Sequence, residues 1–262
     1  MDLQLKDKVI LVSGGAKGIG EAIVKSLAAE NAIPVIIGRN EADNLKLENE
    51  IKATGQQCAS ITAELSEPSE CHKVIAETVN LFGRIDGLVN NAGVNDGVGL
   101  EKGSYDAFMK SIHSNLVHYY LLAHHALPYL KESKGSIVNI TSKTGITGQG
   151  ETSGYAAANG GRNALTREWA VELLPFQIRV NAVVVAESWT PQYERWIKTL
   201  PNAEETLAEI TARIPLENRM TKASEIADTV AFLLSEKSSH TTGQLLYVDG
   251  GYVHLDRALL RQ

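Results

Sequence analysis

Short runs of apolar, often β-branched residues alternate with longer amphipathic stretches along the whole chain. Seven of these runs are predicted to be strands, at 9–13, 34–38, 59–62, 87–91, 136–141, 178–185 and 244–249. Strands that alternate with helical patterns are typical of a parallel sheet with crossover helices. Several runs are apolar at every position, as expected when helices cover both faces. The pattern therefore predicts an α/β fold built on a doubly wound parallel sheet of about seven strands.

The segment from about 189 to 222 interrupts this alternation, because it is rich in Trp, Tyr and charge and has a helical pattern. Insertions after the carboxyl ends of strands in open α/β sheets commonly cover ligands, so we predict a small helical substrate lid here. A packing helix pair or an oligomer contact is the alternative. Since no Pro/Ser-rich or charge-dense linker divides the chain, residues 1–262 are predicted to form a single domain.

Charge and composition narrow the class of partner. The formal net charge of -6 argues against nucleic acid, whose binding needs clustered Lys and Arg, and favours a small molecule. No apolar run approaches the roughly 18 residues of a membrane span, so we expect a cytoplasmic protein without a membrane partner. Cys58 and Cys71 lack any ligand spacing, and no metal is expected.

A glycine-rich turn follows the first predicted strand. Gly14, Gly18 and Gly20 lie between that strand and an amphipathic helix that begins near Ile19. Residues without Cβ let the backbone approach a pyrophosphate, and the start of the helix directs amide donors and its positive dipole end at the anion. The pattern predicts a dinucleotide site, and a tight turn that binds nothing is the alternative.

Two basic residues bear on which dinucleotide binds. Lys17 lies inside the glycine-rich turn, and Arg39 follows Gly38 at the end of the second strand, where NAD-dependent folds usually present an acid to the ribose. A guanidinium grips a phosphate through two hydrogen bonds, so we predict NADP(H) in preference to NAD(H). The alternative is that both are ordinary solvated charges, and Glu41 and Asp43 lie nearby in the sequence.

Polar residues at the ends of later strands are candidates for the chemistry. Asn91, Ala92 and Gly93 follow the fourth strand, and the small residues among them let backbone lie against a flat adenine-ribose unit. Further along are Asn115, in a long helical stretch from about 104 to 127, Ser142 at the end of the fifth strand, and Tyr155 thirteen residues later. Taken singly, such residues are usually structural polar groups with satisfied hydrogen bonds.

Together these motifs resemble the short-chain dehydrogenase/reductase family over essentially all 262 residues. The matching features are "SGGAKGIG", "NNAG", Asn115, the interval from Ser142 to Tyr155, "IRVNAV" and "YVDGG". Within the family the chain is similar to sugar dehydrogenases of the L-fucose type, through "NNAGVNDG", "SKTGITGQGETSGY", "ALTREWAVEL" and "VDGGYVHLDRAL". The resemblance implies a Rossmann-like fold and oxidation of an aldose such as L-fucose to its lactone.

The resemblance also implies a role for each candidate catalytic residue. Tyr155 exchanges the proton of the substrate oxygen, Ser142 holds that oxygen by a hydrogen bond, and Asn115 organises a water-linked proton path. A lysine four residues after the tyrosine binds the nicotinamide ribose, and this chain has Asn159 there. The amide of Asn159 is able to bond ribose hydroxyls, so we predict that it still contacts the cofactor.

The missing lysine changes the expected activity. A cation about 5 Å from a phenol, at an effective dielectric near 20, stabilises the phenolate by about 3 kcal/mol. We therefore expect a bound cofactor with weak turnover, and the alternative is a non-catalytic NADP(H)-binding sensor or interaction protein. Lys143 is not expected to substitute for the lysine, because neighbouring residues in an extended strand point to opposite faces.

Substrate contacts are expected from the loop after the fifth strand and from the lid, where polar side chains with one aromatic suit a sugar. The candidates are Gln149, Thr152, Glu187, Arg195 and Trp196, and solvated loop residues with a packed Trp are the alternative. By resemblance, the apolar stretch "NLVHYYLLAHHALPYL" is expected to join copies of the chain into a homodimer or homotetramer.

Overall fold

One seven-stranded parallel sheet forms the centre of the computed structural model, which describes residues 2–255. The order of its strands across the sheet is β3-β2-β1-β4-β5-β6-β7. The bounds are β1 Val9–Ser13, β2 Ile33–Gly38, β3 Ala59–Thr62, β4 Gly87–Asn90, β5 Ser136–Ser142, β6 Arg179–Val185 and β7 Leu245–Val248. The predicted parallel sheet is thus confirmed. The end of the "VDGGYVHLDRAL" match, at 256–259, lies outside the described residues, as does residue 1 of the predicted domain.

Helices cover both faces of the sheet and connect its strands. Their bounds are α1 Gly18–Ala29, α2 Glu41–Ala53, α3 Pro68–Phe82, α4 Tyr105–Ile112, α5 His118–Ser133, α6 Ser153–Glu172, α7 Pro191–Ile197, α8 Ala203–Ala212 and α9 Ala223–Leu234. Residues of α1, α2 and α9 pack in one apolar core, and residues of α3, α5 and α6 pack in the other.

Side-chain alternation along the strands supplies both cores. On β1, Val9 and Leu11 join the core with α5, whereas Ile10 and Val12 join the core with α1 and α9. Successive side chains of a strand point to opposite faces, so a strand that is apolar at every position fits only a sheet covered on both sides. This explains why these runs lack the polar alternation of a half-exposed strand.

The predicted helix over 104–127 consists of α4 and α5 joined by a π-helical turn at His113–Val117. Ser104 caps its start by accepting a hydrogen bond from the backbone N–H of Ala107. A π-helical turn inserts one extra residue into a helix and is frequent at functional sites. Here the turn contains Asn115, which is completely buried.

The segment from 189 to 222 contains the helices α7 and α8, in line with its helical pattern. Thr190 caps α7 by accepting a hydrogen bond from the backbone N–H of Tyr193. The rings of Trp189, Tyr193 and Trp196 pack against one another, with centroids 6.1 Å and 5.1 Å apart. That this segment covers a ligand stays a prediction.

The surface of the fold bears on two further expectations. Tyr120 on α5 is half-exposed, so one large ring of the stretch expected to join copies of the chain lies at the surface. Assembly itself stays a prediction. Within residues 2–255, the helices are too short or too polar to cross a membrane.

Candidate active site

Several candidate residues lie at the carboxyl edge of the sheet, where the order of the strands reverses. β1 pairs with β2 on one side and with β4 on the other, so the chain leaves the ends of β1 and β4 in opposite directions. In open α/β sheets this divergence forms the crevice that binds ligands. The ends of β4, β5 and β6 lie side by side along the same edge.

The glycine-rich turn after β1 is shaped for close approach of an anion. Gly14 has a φ of +64°, a conformation that favours glycine, and a Cβ on Gly20 would overlap the carbonyl oxygen of Gly14. Lys17 precedes α1 and forms no side-chain cap, so no side chain of the described chain caps the first amides of α1. Free amide donors at a helix start fit a pyrophosphate, so this turn suits a dinucleotide.

Ser13 and Asn91 fasten the loop after β4 to this turn. The Ser13 hydroxyl accepts hydrogen bonds from the backbone N–H groups of Asn91, at 2.8 Å, and Ala92, at 3.0 Å. The Asn91 amide donates to the carbonyl oxygens of Ser13, at 2.9 Å, and Gly14, at 3.2 Å. These bonds hold Ala92 and Gly93 beside the glycine-rich turn.

The end of β2 has no room for the acid that usually binds a ribose. A Cβ on Gly38 would overlap the side-chain oxygen of Asn44, whose amide donates to the Gly38 carbonyl oxygen at 2.9 Å. Arg39 is 82% exposed in its side chain and its guanidinium lies 3.8 Å from Glu64, while Lys17 lies 2.6 Å from Asp43. Both predicted basic residues thus have a carboxylate partner.

Asn115 is held rigidly by the π-helical turn. Its side-chain oxygen accepts a hydrogen bond from the backbone N–H of Val94 at 2.8 Å, and its amide donates to the Ser111 carbonyl oxygen at 3.0 Å. Its side chain therefore links the helix to the loop that contains Gly93. A Cβ on Gly93 would lie 3.0 Å from the Asn115 side-chain oxygen, which explains the need for glycine there.

Ser142 is the last residue of β5 and is largely buried at the carboxyl edge. Its hydroxyl accepts a hydrogen bond from the backbone N–H of Thr144 at 3.3 Å, so the hydroxyl proton stays available to a substrate oxygen. Because Ser142 is on the edge of the sheet where β4 and β6 also end, it lies in the crevice predicted to bind ligand.

Lys143 lies in a turn that sequence reasoning mistook for extended strand. The chain enters a 3₁₀ turn at Lys143–Gly145, so the alternation that would place Lys143 opposite Ser142 ends there. Its ammonium forms an ion pair with Glu187 just after β6, and both side chains are nearly buried, at 10% and 12% exposure. Its ammonium also lies 4.3 Å from the centroid of the Tyr252 ring.

Tyr155 and Asn159 lie one turn apart on α6. The Asn159 amide donates to the Tyr155 carbonyl oxygen at 2.9 Å, and Asn159 is completely buried. Both polar atoms of its side chain are bonded inside the protein, because its oxygen accepts from Arg162 at 3.1 Å. Contact between Asn159 and a ribose stays a prediction, as does the catalytic role of Tyr155.

Arg162 is the residue of this site that sequence reasoning missed. Its guanidinium lies within hydrogen-bond distance of the position where the resemblance implies a lysine, and only 3% of the residue is exposed. It also donates to the Asn115 carbonyl oxygen at 2.6 Å and stacks over the Tyr119 ring at 4.2 Å. An arginine seven positions after Tyr155, on the same face of one helix, was the available signal.

The predicted substrate residues are not equally enclosed. Glu187 faces Lys143, and Thr152 is largely buried just before α6. Gln149, Arg195 and Trp196 are exposed at the surface. Burial and the carboxylate of Glu187 raise the pKa of Tyr193, so α7 brings a neutral phenol close to the ion pair.

The two cysteines lie in other parts of the fold, and both are free and buried. Burial raises the pKa of the Cys58 thiol to about 12 and that of the Cys71 thiol to about 11, so both are inert at neutral pH. Among residues 2–255, no group of three His, Cys, Asp or Glu side chains could hold a metal ion.

A large cavity of about 650 Å³ lies away from this site. It lies at the amino-terminal edge of the sheet, beside Lys8, Asp86, Ser136 and Arg179. None of the candidate site residues lines it. The size of a cavity therefore does not locate the candidate active site in this fold. The carboxyl ends of the strands are the better guide.

Comparison with known proteins agrees with a dinucleotide-dependent oxidoreductase. A family model described as enoyl-(acyl carrier protein) reductase matches residues 14–253. The chain belongs to the short-chain dehydrogenase/reductase family. The family uses nicotinamide cofactors, and its members similar to this chain act on CH–OH groups, so the chain is an NAD(P)-dependent oxidoreductase of that kind.

Three similar proteins illustrate the range of this family. L-fucose dehydrogenase of Bos taurus is 33% identical over 96% of this chain and 91% of its own length. A 3-oxoacyl-[acyl-carrier-protein] reductase of Thermotoga maritima is 35% identical over 96% of this chain and 100% of its own. The crystal structure of Cj0485 dehydrogenase superposes with a TM-score of 0.93 at 45% identity, covering 99% of both chains.

Proposed function

We propose that this protein is an NADP(H)-dependent dehydrogenase that oxidises the anomeric hydroxyl of an aldose such as L-fucose to a lactone. The observation that carries this proposal is the position of Ser142, Tyr155 and Asn115 at the carboxyl edge of the sheet, beside a turn shaped for a pyrophosphate. Similarity to an L-fucose dehydrogenase supports the choice of substrate.

The chemistry divides between the cofactor and the residues of the chain. When bound, the nicotinamide supplies the hydride acceptor. The Ser142 hydroxyl donates a hydrogen bond to the substrate oxygen and fixes its position, and the Tyr155 phenol exchanges the proton of that oxygen. Asn115 keeps the helix that carries it in register with the loop at Gly93.

The surroundings of Ser142 support a substrate with several hydroxyl groups. Lys143 and Glu187 present a paired cation and anion at the carboxyl edge, and the rings of Tyr193 and Tyr252 lie near them. Charged groups bond sugar hydroxyls strongly, and aromatic rings pack on the apolar face of a sugar ring. A simple alcohol would leave this pair without a ligand.

Removing both charges of this pair tests the proposed substrate class. In the double variant Lys143→Met with Glu187→Gln, kcat/KM for L-fucose is expected to fall about 10- to 100-fold, because hydrogen bonds to charged groups are lost. Changing both residues avoids leaving one buried charge unpaired. The variant is assayed against a panel of aldoses and against a simple secondary alcohol, whose oxidation should suffer less.

The matched control removes the ion pair between Lys73 and Glu70 on α3, whose charged atoms lie 3.1 Å apart. Lys73→Met with Glu70→Gln should leave kcat/KM for sugars unchanged. Equal losses on the sugar and on the simple alcohol in the Lys143/Glu187 variant would contradict a role in sugar recognition.

The end of β2 supports NADP(H) as the cofactor. An acid at position 38 would overlap Asn44, while Arg39 extends an exposed guanidinium from the next residue. Lys17 adds a second positive charge from the glycine-rich turn. A 2′-phosphate would compete with Glu64 for Arg39 and with Asp43 for Lys17, and it carries more charge than either carboxylate.

Replacing Arg39 tests the choice between the two nicotinamide cofactors. In Arg39→Ala, the ratio of the affinity for NADPH to the affinity for NADH is expected to fall about 10-fold, since one charge-assisted hydrogen bond to the phosphate is lost. Fluorescence titration with NADPH and NADH measures both constants, and Arg167→Ala, an exposed arginine on α6, is the control. Equal affinity of the parent protein for both cofactors would refute the assignment.

A further inference from the structure

We propose that Arg162 is a positioning residue that supplies a buried positive charge on α6, in place of the lysine that the family has four residues after its tyrosine. This inference rests on the proposed dehydrogenase function. It addresses how the site stabilises the negative charge of proton transfer although Asn159 is uncharged.

Helix geometry places Arg162 behind the proton-transfer residues. Asn159 and Arg162 are four and seven residues after Tyr155, so all three lie along one face of α6. Arg162 Nη1 reaches back to the Asn159 side-chain oxygen at 3.1 Å. Asn159 therefore stands between Tyr155 and the guanidinium, and its short side chain leaves the space that the guanidinium fills.

The surrounding loops are built to receive this guanidinium. Arg162 Nε donates to the Asn115 carbonyl oxygen at 2.6 Å, and Nη1 also donates to the Ile140 carbonyl oxygen at 3.3 Å. A Cβ on Gly93 would lie 2.8 Å from Nη2, so the glycine after β4 makes room for the charge. The Tyr119 ring covers the other face of the guanidinium.

All of these acceptors are neutral, and this is unusual for a buried arginine. None of the ion pairs within residues 2–255 includes Arg162. A buried charge without a countercharge is costly, and apolar replacements of similar volume often stabilise a fold. Such a cost is expected where the charge serves function, since a negative charge that develops during reaction would pair with it.

The Arg162 charge also acts on the titratable groups packed against it. Burial, and second the Arg162 charge, lower the pKa of His118 to about 3, so His118 is neutral near pH 7 and adds no charge beside Arg162. Burial raises the pKa of Tyr119, and the Arg162 charge opposes that rise. The titratable groups next to Arg162 are therefore His118 and Tyr119 on α5.

The charge favours proton transfer from the substrate hydroxyl. The phenolate or alkoxide that forms during oxidation is stabilised by a fixed cation in a site that excludes water. Through its bonds to Asn159 and Asn115, Arg162 also fixes the two residues on either side of the reacting groups. A purely structural arginine would join α6 to the π-helical turn without changing how activity depends on pH.

Four variants separate the charge from the hydrogen bonds. Arg162→Gln keeps hydrogen-bond donors without charge, Arg162→Lys keeps the charge, and Asn159→Lys with Arg162→Gln moves the charge by one turn. Arg167→Gln makes the same change at an exposed position of α6. Each variant is assayed for aldose oxidation across pH, and the thermal unfolding of each cofactor-free variant is measured.

In Arg162→Gln we expect turnover at neutral pH to fall at least about 10-fold and the activity profile to move about one pH unit or more to alkaline values, with an unfolding temperature no lower than that of the parent. Arg162→Lys and the double variant should recover most of both effects. Arg167→Gln should change neither. If Arg162→Gln does not fold, the double variant decides between charge and structure. A folded and active double variant would show that the charge is what matters, because it has no arginine at position 162.

A folded Arg162→Gln protein with the parent's activity profile would overturn the proposal, and so would a double variant as impaired as Arg162→Gln. If the parent oxidises no aldose or secondary alcohol, the proposed function fails. The unfolding temperatures then still test Arg162, because they need no substrate. An Arg162→Gln protein less stable than the parent, with stability not restored in the double variant, would make Arg162 a structural residue and overturn the proposal.

Discussion

Replacing Tyr155 by Phe is expected to lower turnover about 100- to 10,000-fold, the usual contribution of one positioned general acid or base. The substitution removes only the phenol oxygen, so α6 is expected to keep its fold. NADPH affinity should stay within about threefold of the parent, since the glycine-rich turn is untouched. Steady-state oxidation of L-fucose and NADPH fluorescence titration measure the two quantities separately.

Tyr105→Phe is the matched control, because that residue is 77% exposed on α4 and is not among the candidate site residues. It should behave as the parent. A Tyr155→Phe protein that retains more than a third of the parent's kcat would mean that another group moves the proton, and the roles assigned to Ser142 and Arg162 would then lose their basis.

Replacing Gly20 by Ala is expected to weaken cofactor binding severely. The new Cβ would overlap the Gly14 carbonyl oxygen, which is backbone and cannot rotate away as a side chain would. Overpacking of this kind costs about 1–3 kcal/mol, and if the whole cost falls on the bound form, affinity drops about 5- to 150-fold. The turn must open to relieve the contact, and its amides then no longer converge on the pyrophosphate.

NADPH titration of Gly20→Ala, with a thermal unfolding curve of the cofactor-free protein, separates lost binding from lost folding. Gly160→Ala is the control, because a Cβ there meets nothing within 4 Å and alanine favours a helix over glycine. Unchanged NADPH affinity in a folded Gly20→Ala protein would place the cofactor elsewhere than on this turn.

The fold was predictable because its information is local. An apolar run bounded by turn residues marks a buried strand, and the predicted strands agree with β1 to β7 to within about a residue at most ends. The ligand edge follows from the parallel order, since all the strands of such a sheet end on one side. Long amphipathic stretches likewise locate the helices.

The site was less predictable where a side chain acts across several elements. Arg162 donates hydrogen bonds to the carbonyl oxygens of Asn115 on the π-helical turn and Ile140 on β5. No local sequence pattern predicts that these three residues lie together. The resemblance points to position 159, and the arginine one turn further along the same helix face was overlooked, which is why the sequence analysis predicts a site without the family's cation. Lys143 was misplaced because alternation was extended one residue beyond the end of β5.

Turnover by the parent protein tests the central claim most directly. With NADP+ and L-fucose, or another aldose, the account predicts equimolar NADPH and lactone, formed at a rate that is about 100- to 10,000-fold lower in Tyr155→Phe. An NADP(H)-binding sensor would bind the cofactor without reducing it. If the protein binds NADP+ but reduces none of it with any aldose or secondary alcohol between neutral and alkaline pH, the account of this chain as a dehydrogenase is contradicted.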